Sequence, residues 1–424
     1  MKKYFNPAKL LWPEITARPL FDASGLFDKV SAILDEIRSD GEVALRKYTA
    51  LFDGVLPDEW QVRREDFLNA GIELSQSLKK SIEIAAGNIW KFHEKQLPQT
   101  IKTEICSGVV CWQKPVPVET VGLYIPGGTA PLFSTVLMLA IPAQLAGCRE
   151  IILCTPPTQK GTVHPAVLYA AQIAGVTRVF KIGGIQAIGA MAYGIITPKA
   201  DKIFGPGNQY VTAAKQLVSL SQTAIDMPAG PSEVAVMADE TAVPAFVAAD
   251  LLSQAEHGAD SQVMLILKST SGLLEIEKEL ENQLKNLPRK EMAIKALENS
   301  KIVIFDNEKE MIELVNEYAP EHLIISMSNY AEVKDKIFNA GSVFLGNFTP
   351  ESAGDYASGT NHTLPTNGWA RSFSGVNIDS FFKKITFQEI TAEGLKNLGS
   401  TIEIMAEAEQ LAAHKNAVSV RLKH

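Results

Sequence analysis

The chain reads as an α/β protein of two open-sheet lobes with small N-terminal and C-terminal helical extensions, and three features of its 424 residues predict that class. From residue 121, a strand, a Gly- or Pro-rich loop and a helix follow one another four times, the pattern of βαβ units and a parallel sheet. A second such run starts near residue 234. It follows Asp226-Met227-Pro228-Ala229-Gly230-Pro231-Ser232, a break too rich in Pro and Gly for an element interior. The length also exceeds what one ordinary core serves.

In chain order, residues 1–21 form a polar arm. Residues 22–97 carry apolar side chains at helical spacing, among them Val30, Leu34 and Ile37, then Ile82, Ile89 and Phe92, so amphipathic helices are expected. Over 101–113 the period changes, and two short runs flank Ser107-Gly108 as a hairpin. Strands of the first run fall at 121–125, 151–155, 178–182 and 202–204. The loops after them, Pro126-Gly127-Gly128, Pro156-Pro157, Gly183-Gly184 and Gly205-Pro206-Gly207-Asn208, line up along the carboxyl edge, where ligands of open α/β sheets bind. The second run has strands at 234–237, 263–267, 302–305, 323–325 and 342–345. Its helices fall at 244–257, from there to about 300 in a charged pattern, at 307–318 and at 329–338. Residues 347–375 show no apolar periodicity, and so long an irregular run inside a domain usually has a function. The tail turns helical, with Glu403, Glu407, Glu409, His414 and Lys415. The organisation expected is an arm (1–21), a discontinuous lobe (22–120 with 234–376), a second lobe (121–233) and a helical tail (377–424).

Composition narrows the function. With 46% hydrophobic and 21% charged residues the chain has an enzyme-like globular profile, and its net charge of −8 disfavours nucleic acid and anionic membranes, which attract clustered Lys and Arg. The uncharged run from Thr120 to Cys148 is cut by Pro126, Gly127, Gly128, Pro131 and Pro142, too often for a membrane span. The four cysteines form no CxxC pair, and no secretory segment opens the chain, so a reducing cytoplasm is expected.

Seven histidines include several beside carboxylates, amides or glycines. Gln254 and His257 project together from one helix face and suit a borderline cation such as Zn²⁺; a C-terminal cap before Gly258 is the plainer alternative. Glu321-His322, at the start of a short buried strand, is either an acid/base dyad or part of a surface loop. Asp355 and His362 offer further donors or serve a turn. His93 is expected to be solvated, and His164, before Pro165, to cap a helix. No GxGxxG follows any strand, and 184–189 lacks the Lys of a phosphate loop, so the sheet allows dinucleotide binding without a fingerprint for it.

Taken together, these segments resemble the histidinol dehydrogenase family over essentially the whole chain. The likeness rests on Gly122-Leu123-Tyr124-Ile125-Pro126-Gly127-Gly128, Phe204-Gly205-Pro206-Gly207-Asn208, Asp226 through Glu233, and Leu252 through His257. It continues through Tyr318-Ala319-Pro320-Glu321-His322, Gly354-Asp355-Tyr356, Gly359 through Thr366, and Ala413-His414-Lys415-Asn416. The resemblance implies two Rossmann-like, incomplete lobes and a four-electron, NAD⁺-dependent oxidation of L-histidinol to L-histidine. It implies one Zn²⁺ per subunit held by Gln254, His257, Asp355 and His414, the last from the partner in a homodimer. His322 would be the general base, with a pKa near the working pH, and Glu321 would activate water. Ser232, Gln254, His257, His322, Asp355, His362, Glu409 and His414 would contact substrate, and Tyr124, Gln186 and Asn208 would contact NAD⁺. The segment 373–378 departs from the family's usual form but touches no assigned residue. Two other readings stay open at this point: a cysteine nucleophile, Cys111 or Cys154, for the aldehyde step, and a binding protein on the same fold without catalysis.

Overall fold

The structure, a computed structural model, describes residues 1–18, 25–127, 131–228 and 230–423. Gly128 and Ala229 of the two glycine-rich segments, residues 19–21 of the arm and His424 lie outside the described residues.

The arm is not free: β1 (Lys2–Phe5) pairs in parallel with residues 301–304 at a sheet edge, and α1 (Trp12–Thr16) follows. Four helices come next, α2 (Leu26–Asp40), α3 (Glu42–Phe52), α4 (Arg64–Glu73) and α5 (Gln76–Glu94). Their buried stripes include the predicted Val30, Leu34, Ile37, Ile82 and Ile89. The hairpin β2 (Ile101–Cys106) and β3 (Val109–Pro117) turns at Ser107-Gly108, where Gly108 takes φ +77°.

Five strands form the first parallel sheet: β4 (Thr120–Tyr124), β5 (Glu150–Thr155), β6 (Arg178–Lys181), β7 (Lys202–Phe204) and β8 (Ala224–Ile225). They lie in the order β6-β5-β4-β7-β8, joined by α6 (Phe133–Ala146), α7 (Pro165–Ile173), α8 (Gly184–Tyr193) and α9 (Gln209–Ser219). Counting β4 as the first strand, the order is 3-2-1-4-5, a dinucleotide-type lobe without its sixth strand. Of the uncharged run 120–148 the described residues include β4 and α6, in which residues 134–143 are all buried. Among the described residues no helix is long and apolar enough to cross a membrane.

Helices α2 and α3 cover one face of this sheet, where Leu34 and Ile37 meet Ile188 and Ile203, and α4 and α5 cover the other, where Ile82 and Ile89 meet Leu123 and Leu139. The helices of 22–97, expected with residues 234–376, therefore pack instead on the sheet of 121–233. Side chains alternate across the strands, so both faces of a parallel sheet need apolar cover, and the preceding helices supply it.

The second sheet contains β9 (Glu233–Ala238), β10 (Gln262–Leu267), β11 (Lys301–Ile304), β12 (His322–Ser326) and β13 (Ser342–Leu345) in the all-parallel order β1-β11-β10-β9-β12-β13. Its helices are α10 (Pro244–Ala255), α11 (Leu273–Leu284), α12 (Lys290–Glu298), α13 (Glu308–Tyr318), α14 (Tyr330–Val333) and α15 (Glu351–Tyr356). Here α14 is a single turn, shorter than the predicted helix, and α15 lies inside the segment expected to be irregular. The tail opens with a strand, β14 (Phe382–Ile390), which pairs antiparallel with β3 and stacks Phe387 on Trp112 at 5.2 Å. Helices α16 (Ala392–Ala408) and α17 (Ala412–Leu422) close the chain.

One connection places the site. Residues 226–232 carry the chain from the carboxyl end of β8 to the amino end of β9, so the carboxyl edge of the first sheet meets the amino edge of the second. Lys215, buried, bonds both Asp226 and the Gly205 carbonyl, while the other Asp226 oxygen accepts from Gly205 N–H at 2.8 Å. Gly205 has φ +121°, and a side chain there would overlap the carbonyl oxygen of Tyr124, so only Gly lets the β4 and β7 loops approach. Across the same boundary Asn361 Nδ2 donates to the Met138 carbonyl of α6 at 2.6 Å.

Candidate active site

Glu233, the first residue of β9, organises the second sheet's amino edge. Its backbone N–H donates to Glu321 Oε2 at 2.9 Å, and its carbonyl lies 3.2 Å from His322 Nδ1. Arg18 holds its carboxylate through Nε and Nη2 at 2.7 and 2.8 Å and rests on the Tyr318 ring at 4.1 Å. The pair Glu321-His322 is thus fixed in a buried place, and the surface-loop alternative falls. Helix α13 stops at Ala319, which takes φ +51°, and Pro320 then turns the chain into β12.

The imidazole is oriented by that carbonyl. With Nδ1–H donating to Glu233, Nε2 keeps a bare lone pair, and it is buried with no hydrogen-bond partner among the described residues. Nε2 lies 3.9 Å from Asp355 Oδ1, and Nδ1 lies 3.6 Å from Glu321 Oε2 and 3.8 Å from Glu351 Oε1. His362 Nδ1 meets the Asp355 carbonyl at 2.9 Å, and its Nε2 reaches Thr135 Oγ1 of α6 at 3.1 Å. His257, the residue after the α10 cap, is close enough to disfavour charge on both His322 and His362.

Burial dominates the electrostatics. It lowers His322 to about 3 and His362 to about 4, and it raises Glu321 and Glu351 well above the carboxylate range and Asp355 and Asp250 to about 7. His257 is exposed on one side yet ringed by protein, and partial desolvation lowers its pKa, with Arg289 adding to the effect. The pKa near the working pH expected from the sequence is therefore not what burial gives His322. Burial, with His257 and His362 nearby, holds the ring toward its neutral form, the form that can accept a proton.

Gln254 shows where a metal fits. It is fully buried on α10, and neither its oxygen nor its nitrogen has a partner among the described residues, a costly state that a ligand would relieve. The buried carboxylate of Glu351 has none either, and His322, Glu351 and Asp355 offer donor atoms within 4.8 Å of one another. This N/O donor set suits a borderline cation such as Zn²⁺. His414 and Glu409 are not brought into the cluster: both are exposed, on α17 and at the end of α16. Ser232 precedes Glu233 at the cluster's edge and is half-buried.

On the first sheet, Tyr124 ends β4 and its hydroxyl accepts from Gly184 N–H at 3.1 Å. Gln186 is buried in the first turn of α8, with Nε2 donating to Asp53 at 3.2 Å and Oε1 unpartnered. Asn208 caps α9 by accepting from Tyr210 and Val211 N–H. All three lie at the carboxyl edge, as the loop pattern predicts. Neither cysteine candidate belongs to the cluster: Cys154 is buried in β5, where burial pushes its thiol up, and Cys111 is half-buried in β3. His164 caps α7 as expected, whereas His93 is fully buried, with Nδ1 against the Ile89 carbonyl at 2.9 Å. It faces inward on α5 with Ile89 and Ile82, a position its charged sequence neighbours disguise.

Comparison with known proteins identifies the family. The family model described as histidinol dehydrogenase matches residues 16–422. Histidinol dehydrogenase of Bacteroides thetaiotaomicron is 58% identical over 423 residues, covering 100% of this chain and 99% of that protein. The chloroplastic enzyme of Arabidopsis thaliana is 51% identical, covering 96% and 88%. The crystal structure of histidinol dehydrogenase from Elizabethkingia anophelis superimposes with a TM-score of 0.97 at 54% identity, covering 100% and 98%. An acetylating aldehyde dehydrogenase from Geobacillus thermoglucosidasius, 17% identical with a TM-score of 0.50 over 87% and 98% of the chains, shares the fold alone. The chain belongs to the histidinol dehydrogenase family, whose members are NAD-dependent oxidoreductases.

Proposed function

We propose that the protein oxidises L-histidinol to L-histidine through the aldehyde, consuming two NAD⁺ and one water. The observation that carries this reading is the buried, unpartnered Nε2 of His322 beside Glu321, at the edge that faces the nucleotide-type sheet. Gln254, His257 and Asp355 would hold a Zn²⁺, which would supply a Lewis-acid anchor for the substrate, and NAD⁺ would supply the hydride acceptor. His322 Nε2 takes the hydroxyl proton in the first oxidation. Glu321 then removes a proton from the water that adds to the aldehyde carbon. His322 acts again on the hydrated aldehyde. Ser232 and His362 border the substrate, and Glu351, absent from the sequence-derived set, supplies a further acceptor for the substrate amine. Tyr124, Gln186 and Asn208 contact the nucleotide.

The test mixes zinc-loaded protein with L-histidinol and NAD⁺ and counts NADH: two per histidine support the reading, and none sinks it. Glu321→Gln preserves the acceptor for Glu233 N–H but cannot take a proton. One NADH per site and accumulating aldehyde are expected, with the second step slowed about a hundredfold; an unimpaired second step rejects Glu321's role.

His414 and Glu409 are exposed on the tail, which supports their completing the site of a partner in a homodimer, His414 as the fourth metal ligand. Mixing inactive His322→Asn with inactive His414→Ala after subunit exchange should restore about a quarter of the activity, since one site in each mixed dimer is then intact. Lasting inactivity of a mixture shown to exchange would place His414 in its own chain's site or outside any.

A further inference from the structure

In dinucleotide-binding lobes of this strand order, a carboxylate at the end of the second strand accepts hydrogen bonds from the adenosine ribose, about 20 residues after the phosphate turn. The second strand here is β5, and it ends in Thr155-Pro156-Pro157 with no acid. A carboxylate nevertheless stands at that edge. Asp53, on the residue that caps α3, reaches the start of α8, where Oδ2 accepts from Gly183 N–H at 3.4 Å and from Gln186 Nε2 at 3.2 Å. A methyl group on Gly183 would sit 2.5 Å from Pro156 Cγ and 3.1 Å from Asp53 Oδ1, so Asp53 adjoins the ends of β5 and β6 together. Asp53 is half-buried, and Oδ1 accepts no hydrogen bond from the described residues.

We propose that Asp53 reads the adenosine ribose of the dinucleotide by accepting from its 2′- and 3′-hydroxyls, and so sets a preference for NAD⁺ over a cofactor bearing a 2′-phosphate. The inference rests on the dinucleotide reading above. Its physical basis is the placement of negative charge. The Gly183 and Gly184 amides at the start of α8 already serve Asp53 and Tyr124, so these two donors are taken. A phosphate brought there would meet a fixed carboxylate, whereas a diol donates to its free oxygen. Asp53 lies outside the βαβ repeats, so an acid sought at the end of the second strand does not reveal it.

The test titrates NAD⁺ and NADP⁺ calorimetrically into wild type and Asp53→Asn and runs rates with L-histidinol in parallel. Wild type should bind NAD⁺ at least tenfold more tightly than NADP⁺. In Asp53→Asn that ratio should fall about tenfold, with KM for NAD⁺ rising and kcat at saturation changing less than twofold, a split that a loosened fold would not give. Wild type can also be tested alone: 2′-deoxy-NAD⁺ should lose affinity there, and lose none further in Asp53→Asn. An unchanged ratio in Asp53→Asn, or 2′-deoxy-NAD⁺ binding wild type as well as NAD⁺ does, overturns the assignment. Retained NAD⁺ preference without L-histidinol turnover would sink the substrate reading and leave Asp53 standing.

Discussion

Replacing His322 with Asn is expected to lower the rate of both oxidations by about a hundredfold to ten-thousandfold, the usual worth of a positioned general base. Asn keeps the side chain's reach and can still donate to the Glu233 carbonyl, which His322 Nδ1 approaches to 3.2 Å, so the pocket should persist. What disappears is the lone pair at Nε2. The measurement is single-turnover NADH formation from L-histidinol and, separately, from histidinaldehyde. Loss in both phases fits one base serving twice. Loss in the first phase alone would assign the second proton transfer to another group, Glu351 being the nearest carboxylate to Nδ1 after Glu321. Nε2 is the atom the reaction needs because Nδ1 is committed to a backbone carbonyl at the first residue of β9. The Arg18–Glu233 pair matters through the same geometry, since it anchors the residue that aims the ring.

The repeats were legible because Gly and Pro punctuate each strand end and each helix has its own period, so β7 and β13 fall on the predicted residues. Which sheet the helices of 22–97 cover was not legible: periodicity reveals an apolar stripe but not its partner. The strand β14 was missed for a related reason. Its run Phe382-Lys383-Lys384-Ile385-Thr386-Phe387 is largely exposed and lacks clean alternation, and its pairing with β3 spans most of the chain. The same limit governs the site. Gln254, His257, Glu321, His322, Asp355 and His362 could be picked out by type and setting. Glu351, Arg18 and Asp53 look like ordinary solvated charges in sequence, and only burial and a distant partner give them a role. The amino-edge position of the cluster was equally hidden, because it follows from where residues 226–232 enter the second sheet.

The largest effect on stability should come from Gln254→Leu, and its sign should depend on metal. Both polar atoms of the Gln254 amide are buried without a partner among the described residues, and each such atom costs about 1–3 kcal/mol. Leu has a similar volume and leaves nothing unsatisfied, so in excess chelator the variant should match or exceed wild type by about 2 kcal/mol in denaturant unfolding. Saturating Zn²⁺ should reverse the order. A ligand at 100 times its Kd stabilises by about 2.7 kcal/mol, and on the proposed ligand set the variant would lack one oxygen donor beside His257 and Asp355. Metal content per chain, read by mass spectrometry, should fall with it, and turnover should drop in proportion. A helix-end residue with no metal role predicts otherwise: the same stability difference with and without Zn²⁺, and unchanged metal content. The reversal separates these outcomes because an orphaned amide is destabilising only until something binds it. The strain of leaving Gln254 unpaired is then the counterpart of its affinity for the metal, and a sequence that retains Gln rather than Leu at this buried position favours the loaded state over the empty one.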